Sequence, residues 1–174
     1  MTAFQIILLI VGILLFLTGL WALFKNEVLA PLGGYAGLVA LYFSHALPLA
    51  SNMVITWLAL TVIVVGISKM QPAAVMAQTR GVGYMLVGAV VGMLVGLIAV
   101  SSTDSLTALY ACMIVGVLAG IFFGFMLFTR TPQGANVGLS SGRFFSYLAA
   151  KGVPVAAAVI QLGVALLLWL VTIS

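Results

Sequence analysis

Long apolar stretches, broken only by short polar segments, constrain this chain more than any other feature of its sequence. The hydrocarbon core of a bilayer is about 30 Å thick and takes roughly 20 residues of α-helix to cross. Measured by that length, the sequence predicts an all-α, polytopic integral membrane protein whose single transmembrane domain occupies residues 1–174. The predicted spans lie at residues 4–24, 28–47, 50–68, 81–100, 106–128 and 153–173.

The composition agrees with a membrane protein and excludes a soluble domain. Hydrophobic residues make up 65% of the chain and charged residues only 5%, against about 25% charged residues in ordinary soluble domains. The net charge of +4 comes from widely spaced Lys and Arg residues. Such spacing does not form the basic stripe that binds nucleic acid, so no nucleic-acid partner is predicted.

One proline decides how the second and third spans are divided. The apolar sequence from 28 to 68 is about twice the spanning length, and Pro48 lies near its midpoint. Proline inside a helix removes a backbone hydrogen bond, and its ring clashes with the preceding turn. The sequence therefore predicts two helices here.

The distribution of basic residues predicts the orientation. Cytoplasmic loops of membrane proteins retain Lys and Arg. With six spans and the N-terminus on the outer side, every basic residue of the chain falls in an inner loop: Lys25, Lys69, Arg80, Arg130, Arg143 and Lys151. We therefore expect a multi-pass protein of the cytoplasmic (inner) membrane with both termini on the outer side.

The longest predicted loop, residues 129–151, lies on the inner side. Its second half, 142–148, is compatible with a short helix in the membrane interface or with a plain connecting loop, and the sequence leaves both open. Three basic residues of this loop, Arg130, Arg143 and Lys151, are predicted to contact anionic lipid headgroups.

Glycines recur every four residues in the fourth and fifth spans. This spacing aligns them on one face of a helix, where another backbone can approach closely. The two sets lie at matching depths in antiparallel neighbours, which predicts a tight hairpin; contact with another subunit is the alternative. The predicted packing residues are Gly88, Gly92, Gly96, Gly116, Gly120 and Gly124.

A few polar residues are candidates for a pathway through the membrane. His45 stands near the end of the second span, Asp104 in the turn between the fourth and fifth, and Gln161 in the last span. Simpler roles are an interfacial histidine, a turn carboxylate and an interhelical hydrogen bond, the last also open to Thr61. No metal is predicted at His45, because no second ligand stands three or four residues away.

The sequence favours a non-enzymatic function. It contains no phosphate-binding loop, metalloprotease helix or nucleophile elbow, and it indicates no particular cofactor. Because no intramembrane carboxylate or cation is evident, we expect a non-catalytic subunit that packs with other membrane proteins, or with itself, to stabilise a complex. The alternative is a small, oligomeric transporter or channel for a neutral or weakly charged solute.

Overall fold

The computed structural model describes residues 3–26, 28–71, 80–100, 105–135 and 141–173, and every regular element in these ranges is helical. The helices are α1 (Ala3–Ala22), α2 (Leu29–Ser44), α3 (Ser51–Lys69), α4 (Val82–Ala99), α5 (Leu106–Thr129), α6 (Ser141–Tyr147) and α7 (Val153–Ile173). A π-helical turn, Leu148–Gly152, joins α6 to α7 without a break. The predicted all-helical membrane architecture is confirmed to this extent: within the described ranges there are six apolar helical segments, five of them long enough to cross a bilayer.

The sixth apolar helix, α2, has 16 residues and is shorter than a full span. It ends where His45 adopts a left-handed conformation with φ of 52°, and the His45 amide donates to the Tyr42 carbonyl. Pro48 follows, and α3 begins only at Ser51. The predicted division between the second and third spans is therefore confirmed.

The first two helices form a hairpin that packs through glycines. A Cβ atom on Gly19 would lie 3.0 Å from the Ala30 carbonyl oxygen, and one on Gly33 would lie 2.8 Å from the Gly19 Cα atom. One turn farther along α2, Gly37 faces the ring of Phe16. The backbones of α1 and α2 are therefore in contact. Most of the remaining surface of α1 is exposed.

A second hairpin joins α4 to α5, and it is the most extensive helix pair in the structure. A Cβ atom on Gly88 would overlap the Gly120 carbonyl, and one on Gly92 would overlap the Gly116 carbonyl. Gly96 and Gly124 meet the opposite backbone in the same way, at Cys112 and Tyr84. Each of these pairs sums to 208 in residue number, so the two helices keep one antiparallel register along their length.

The last helix, α7, lies at the centre of the bundle. It contacts α1, α2, α3, α4 and α5, and the helical segment that contains it is 61% buried, against 17% for α1 and for α3. Small residues such as Ala157, Ala158 and Gly163 let neighbouring helices approach it closely. These five helices therefore pack around α7.

The predicted inner loop 129–151 is only partly a loop. α5 ends at Thr129, and from Ser141 onward α6 continues through the π-helical turn into α7. The Tyr147 hydroxyl accepts a hydrogen bond of 3.0 Å from the Gly81 amide, and its ring stacks on Phe125 and Phe128. These contacts hold α6 against the ends of α4 and α5 and so fix the π-helical turn that follows.

Candidate functional site

Most of the buried polar side chains in the described part of the chain lie along one helix boundary. Five polar or charged residues are buried in the described part of the chain, and one of them, Ser44 of α2, donates to the Leu41 carbonyl within its own helix. The other four lie on α3 or on the segment formed by the π-helical turn and α7, against which α3 packs. We call this group the α3–α7 seam; its members are Thr61, Ser68, Lys151 and Gln161.

Gln161 links the two helices in the middle of the seam. Its Nε2 atom donates a hydrogen bond of 3.1 Å to the Thr61 hydroxyl oxygen. Its Oε1 atom is buried without a hydrogen-bond partner among the described residues and lies where a Cβ atom of Gly34 would otherwise be. The amide therefore fits because position 34 of α2 has no side chain, and one acceptor inside the bundle stays free.

Ser68 extends the seam toward the end of α3. It follows Thr61 by seven residues, close to two helical turns, which places both hydroxyl groups on the same face about 10 Å apart along the axis. The Ser68 side chain is fully buried, and its Oγ atom has no hydrogen-bond partner in the part of the chain that the structure describes. An unpaired buried hydroxyl costs free energy, so it is a ready contact for a polar molecule.

Lys151 is the buried cation of the seam. Its side chain has no solvent exposure, and it lies on the π-helical turn, a distortion that is often found at functional sites. The next residue, Gly152, packs against Ile121, which is eight residues, or about 12 Å, inside the end of α5 at Thr129. The lysine backbone therefore lies well inside the helical bundle, not at its rim.

A cleft opens along the same boundary, near Ser51 where α3 begins. It lies between α3, α5 and α7, has a volume of about 470 Å³, and carries three polar side chains, Asn52, Thr56 and Tyr110. Leu60 and Ile160 also line it, and these two are the chain neighbours of Thr61 and Gln161. The cleft therefore approaches the level of the Gln161–Thr61 hydrogen bond.

The seam supplies hydrogen-bond donors and one cation. Lys, Gln, Ser and Thr side chains can together bind the oxygen atoms of a small solute. No group of three or more His, Cys, Asp or Glu side chains comes together within the described ranges. The chemistry of these four side chains is therefore the binding and orientation of a polar group.

The other predicted site residues lie elsewhere. His45 is exposed and ends α2, and Asp104 lies outside the described residues. Arg130 and Arg143 are exposed. The buried position of Lys151 does not suit the headgroup contact that was predicted for it.

The sequence contained a signal for the buried lysine that our prediction did not use. Lys151 is flanked by Leu148-Ala149-Ala150 on one side and by Gly152-Val153 on the other. Apolar and small residues on both sides are typical of a side chain inside a bundle. We assigned it instead to the polar loop that precedes it.

Comparison with known proteins assigns neither a family nor a function to this chain. No family model, no curated protein and no solved structure matches this chain. The seam between α3 and α7 is therefore interpreted from its own chemistry.

Proposed function

We propose that this protein is a small membrane transporter or channel for a neutral or weakly charged polar solute. The observation that carries the proposal is the complete burial of Lys151 at the inner part of the α3–α7 seam. An ionisable residue inside a membrane protein is expensive to bury and typically serves a pathway or binding site. The sequence argued against transport because no intramembrane carboxylate or cation was evident. The buried Lys151 removes that objection.

The proposed path follows the boundary of α3 with α7. A solute enters the outer cleft beside Asn52 and Thr56, and reaches the Gln161–Thr61 pair. There it exchanges hydrogen bonds with the amide and hydroxyl, and then meets the Ser68 hydroxyl and Lys151. Two buried acceptors without partners, the Ser68 Oγ and Gln161 Oε1 atoms, offer contacts that the protein leaves free for donors of the solute. We propose passage of the solute and no enzymatic reaction, because the hydroxyl, amide and ammonium groups of the seam can bind its polar atoms.

A flux assay tests this proposal. The purified protein is reconstituted into liposomes, and entry of glycerol, urea and acetate is followed by light scattering and by an internal pH dye. We expect faster entry of at least one of these solutes than in protein-free liposomes, with the increase lost in Gln161→Leu. Absence of any increase for all three solutes, with correctly folded protein in the membrane, would contradict the proposal.

A second function is supported by the exposed surface of α3. Only three of its residues are buried, while Asn52 and Thr56 are exposed on the same helix as Ile55 and Val62. Polar side chains on a membrane helix usually contact protein or water, so this surface also suits a partner helix. In that case the protein is a non-catalytic subunit of a membrane complex.

Purification from native membranes distinguishes the two functions. Gentle extraction into lipid nanodiscs followed by native mass spectrometry reports every protein that remains bound. Other proteins at fixed stoichiometry would favour the subunit function. The chain alone or as a homo-oligomer would favour transport.

The proposed setting is the cytoplasmic membrane, with both termini outside. It is supported by the basic residues at the helix ends, where Lys25 follows α1, Lys69 ends α3 and Arg130 follows α5. Anionic lipids are proposed to contact the exposed Arg130 and Arg143. We also propose that the glycine ladders of α4 and α5 are what hold this hairpin together, since small residues promote close helix packing in lipid.

A further inference from the structure

An apolar groove runs along the outer surface of the α4–α5 hairpin. It lies on the side away from α7. On the opposite side of the same two helices, Met93 and Met113 are buried next to Gly163 of α7. Its volume is about 810 Å³, its floor is formed by the ladder glycines, and its walls carry exposed Val87, Val91 and Phe123. The glycines make it deep, since each side chain missing from the floor leaves a space between the walls.

One end of this groove is positively charged. Arg80 lines it directly, and the antiparallel register that pairs Tyr84 with Gly124 places residue 128 opposite Arg80. Arg130, the first residue after α5, is therefore within about half a turn of the same level. Both arginine side chains are exposed. The groove is thus apolar along its length, with Arg80 lining one end and Arg130 at a similar level along the helix axis.

The length of the groove matches one lipid chain. From Arg80 to Val95 the axis rises by about 22 Å at 1.5 Å per residue, while one leaflet of the hydrocarbon core is about 15 Å thick. An acyl chain can therefore lie in the groove over the full depth of its leaflet. Its headgroup then remains at the level of the two arginines.

The charges also argue against a second copy of this chain in the groove. Copies inserted in the same sense present their arginine ends on the same side of the membrane. A symmetric pair that met through this face would bring four guanidinium groups together, because both partners contribute Arg80 and Arg130. An anionic phospholipid instead neutralises them. We propose that the groove between α4 and α5 binds an anionic phospholipid, with one acyl chain along the glycine floor and its phosphate at Arg80 and Arg130.

Lipid titration followed by native mass spectrometry tests the site. The delipidated, detergent-purified protein is titrated separately with phosphatidylglycerol and with phosphatidylcholine of the same acyl chains. We expect the wild type to bind phosphatidylglycerol more tightly. Arg80→Gln with Arg130→Gln should weaken that binding roughly 25-fold, at about fivefold per arginine, while Lys69→Gln, an exposed lysine at the end of α3, should leave it unchanged.

A variant that fills the groove tests the acyl-chain position. Val91→Trp places a large side chain on the exposed wall without touching the glycine contacts, and it should weaken binding of both lipids. The proposal is overturned if phosphatidylglycerol binds no better than phosphatidylcholine, or if the arginine and tryptophan variants bind like the wild type. It is equally overturned if the wild type is a lipid-free dimer that Val91→Trp dissociates.

Discussion

Lys151 is the residue on which the functional account depends. Lys151→Met removes the buried charge together with the contact that the side chain makes within the protein, so thermal stability should fall, because a buried polar group left without its partner costs about 1–3 kcal/mol. The solute loses a charged hydrogen bond worth about 1.5–3 kcal/mol, which corresponds to a loss of flux of roughly 10- to 100-fold. Flux and thermal unfolding of the same reconstituted preparation are the measurements.

The matched control for that variant is Lys69→Met. Lys69 is exposed at the end of α3, so removing its charge should alter neither flux nor stability. Lys151→Arg keeps the charge and should retain part of the flux if the cation itself contacts the solute. A Lys151→Met protein that transports as fast as the wild type would refute a role for the lysine.

Gly34 is the residue that makes room for the Gln161 amide. A methyl group at position 34 would overlap the Gln161 Oε1 atom, so Gly34→Ala should destabilise the protein by about 1–3 kcal/mol through overpacking. Gly66→Ala on α3 is the control, because a Cβ atom there meets nothing within 4 Å. It should be neutral or stabilise its helix by up to about 1 kcal/mol. Equal unfolding temperatures for the two variants would show that the amide is not held as described.

At the scale of the elements, the α4–α5 hairpin leaves no space between its backbones. Gly92→Leu or Gly120→Leu would force a side chain into the opposite carbonyl, and each should cost several kcal/mol because two backbones must separate. Ala111→Leu, at an exposed position of α5, is the control and should be nearly neutral. Thermal unfolding in detergent, with size-exclusion chromatography, measures both. Unchanged stability and oligomer size in the glycine variants would contradict the proposed role of the ladders.

The Tyr147 hydroxyl contributes one of the contacts that attach α6 to the ends of α4 and α5. Tyr147→Phe keeps the stacking on Phe125 but leaves the Gly81 amide without its acceptor. The free energy of unfolding should fall by about 1 kcal/mol, and by more if the buried Gly81 amide stays unpaired. Tyr84→Phe, an exposed tyrosine on α4, should be neutral by comparison. Hydrogen exchange at Gly81 gives a direct readout, since exchange should accelerate in Tyr147→Phe and not in Tyr84→Phe.

For the whole molecule, the helical segments could be predicted because bilayer thickness fixes their length and Pro48 interrupts the helix. The arrangement around α7 could not be predicted from hydropathy. α1 and the segment containing α7 have similar mean hydropathies, 2.6 and 2.3, yet 17% of the first and 61% of the second is buried. Lipid is as apolar as a helix interior, so hydropathy does not separate the surface facing lipid from the surface facing protein.

The candidate site was predictable only in part. Gln161 and Thr61 stand out because polar groups are rare in apolar helices, and each was considered for an interhelical hydrogen bond. The Lys151 position depends on the continuation of α6 into α7 through a π-helical turn. The apolar and small residues beside Lys151 indicate that it is buried, but they do not indicate the turn. The α1–α2 glycines were missed because their spacing is less regular, although Gly12 and Gly19 are seven residues apart and share a face.

The central claim is that the α3–α7 seam admits a polar solute, and cysteine accessibility tests it most directly. In a Cys112→Ala background, Thr61→Cys, Ser68→Cys and Val117→Cys proteins in membrane vesicles are treated with a water-soluble, membrane-impermeant thiol reagent. Val117 is equally buried but lies in the apolar core of α5. We predict modification of the Thr61 and Ser68 cysteines and none at position 117. Seam cysteines as inert as the one at position 117 would contradict the claim.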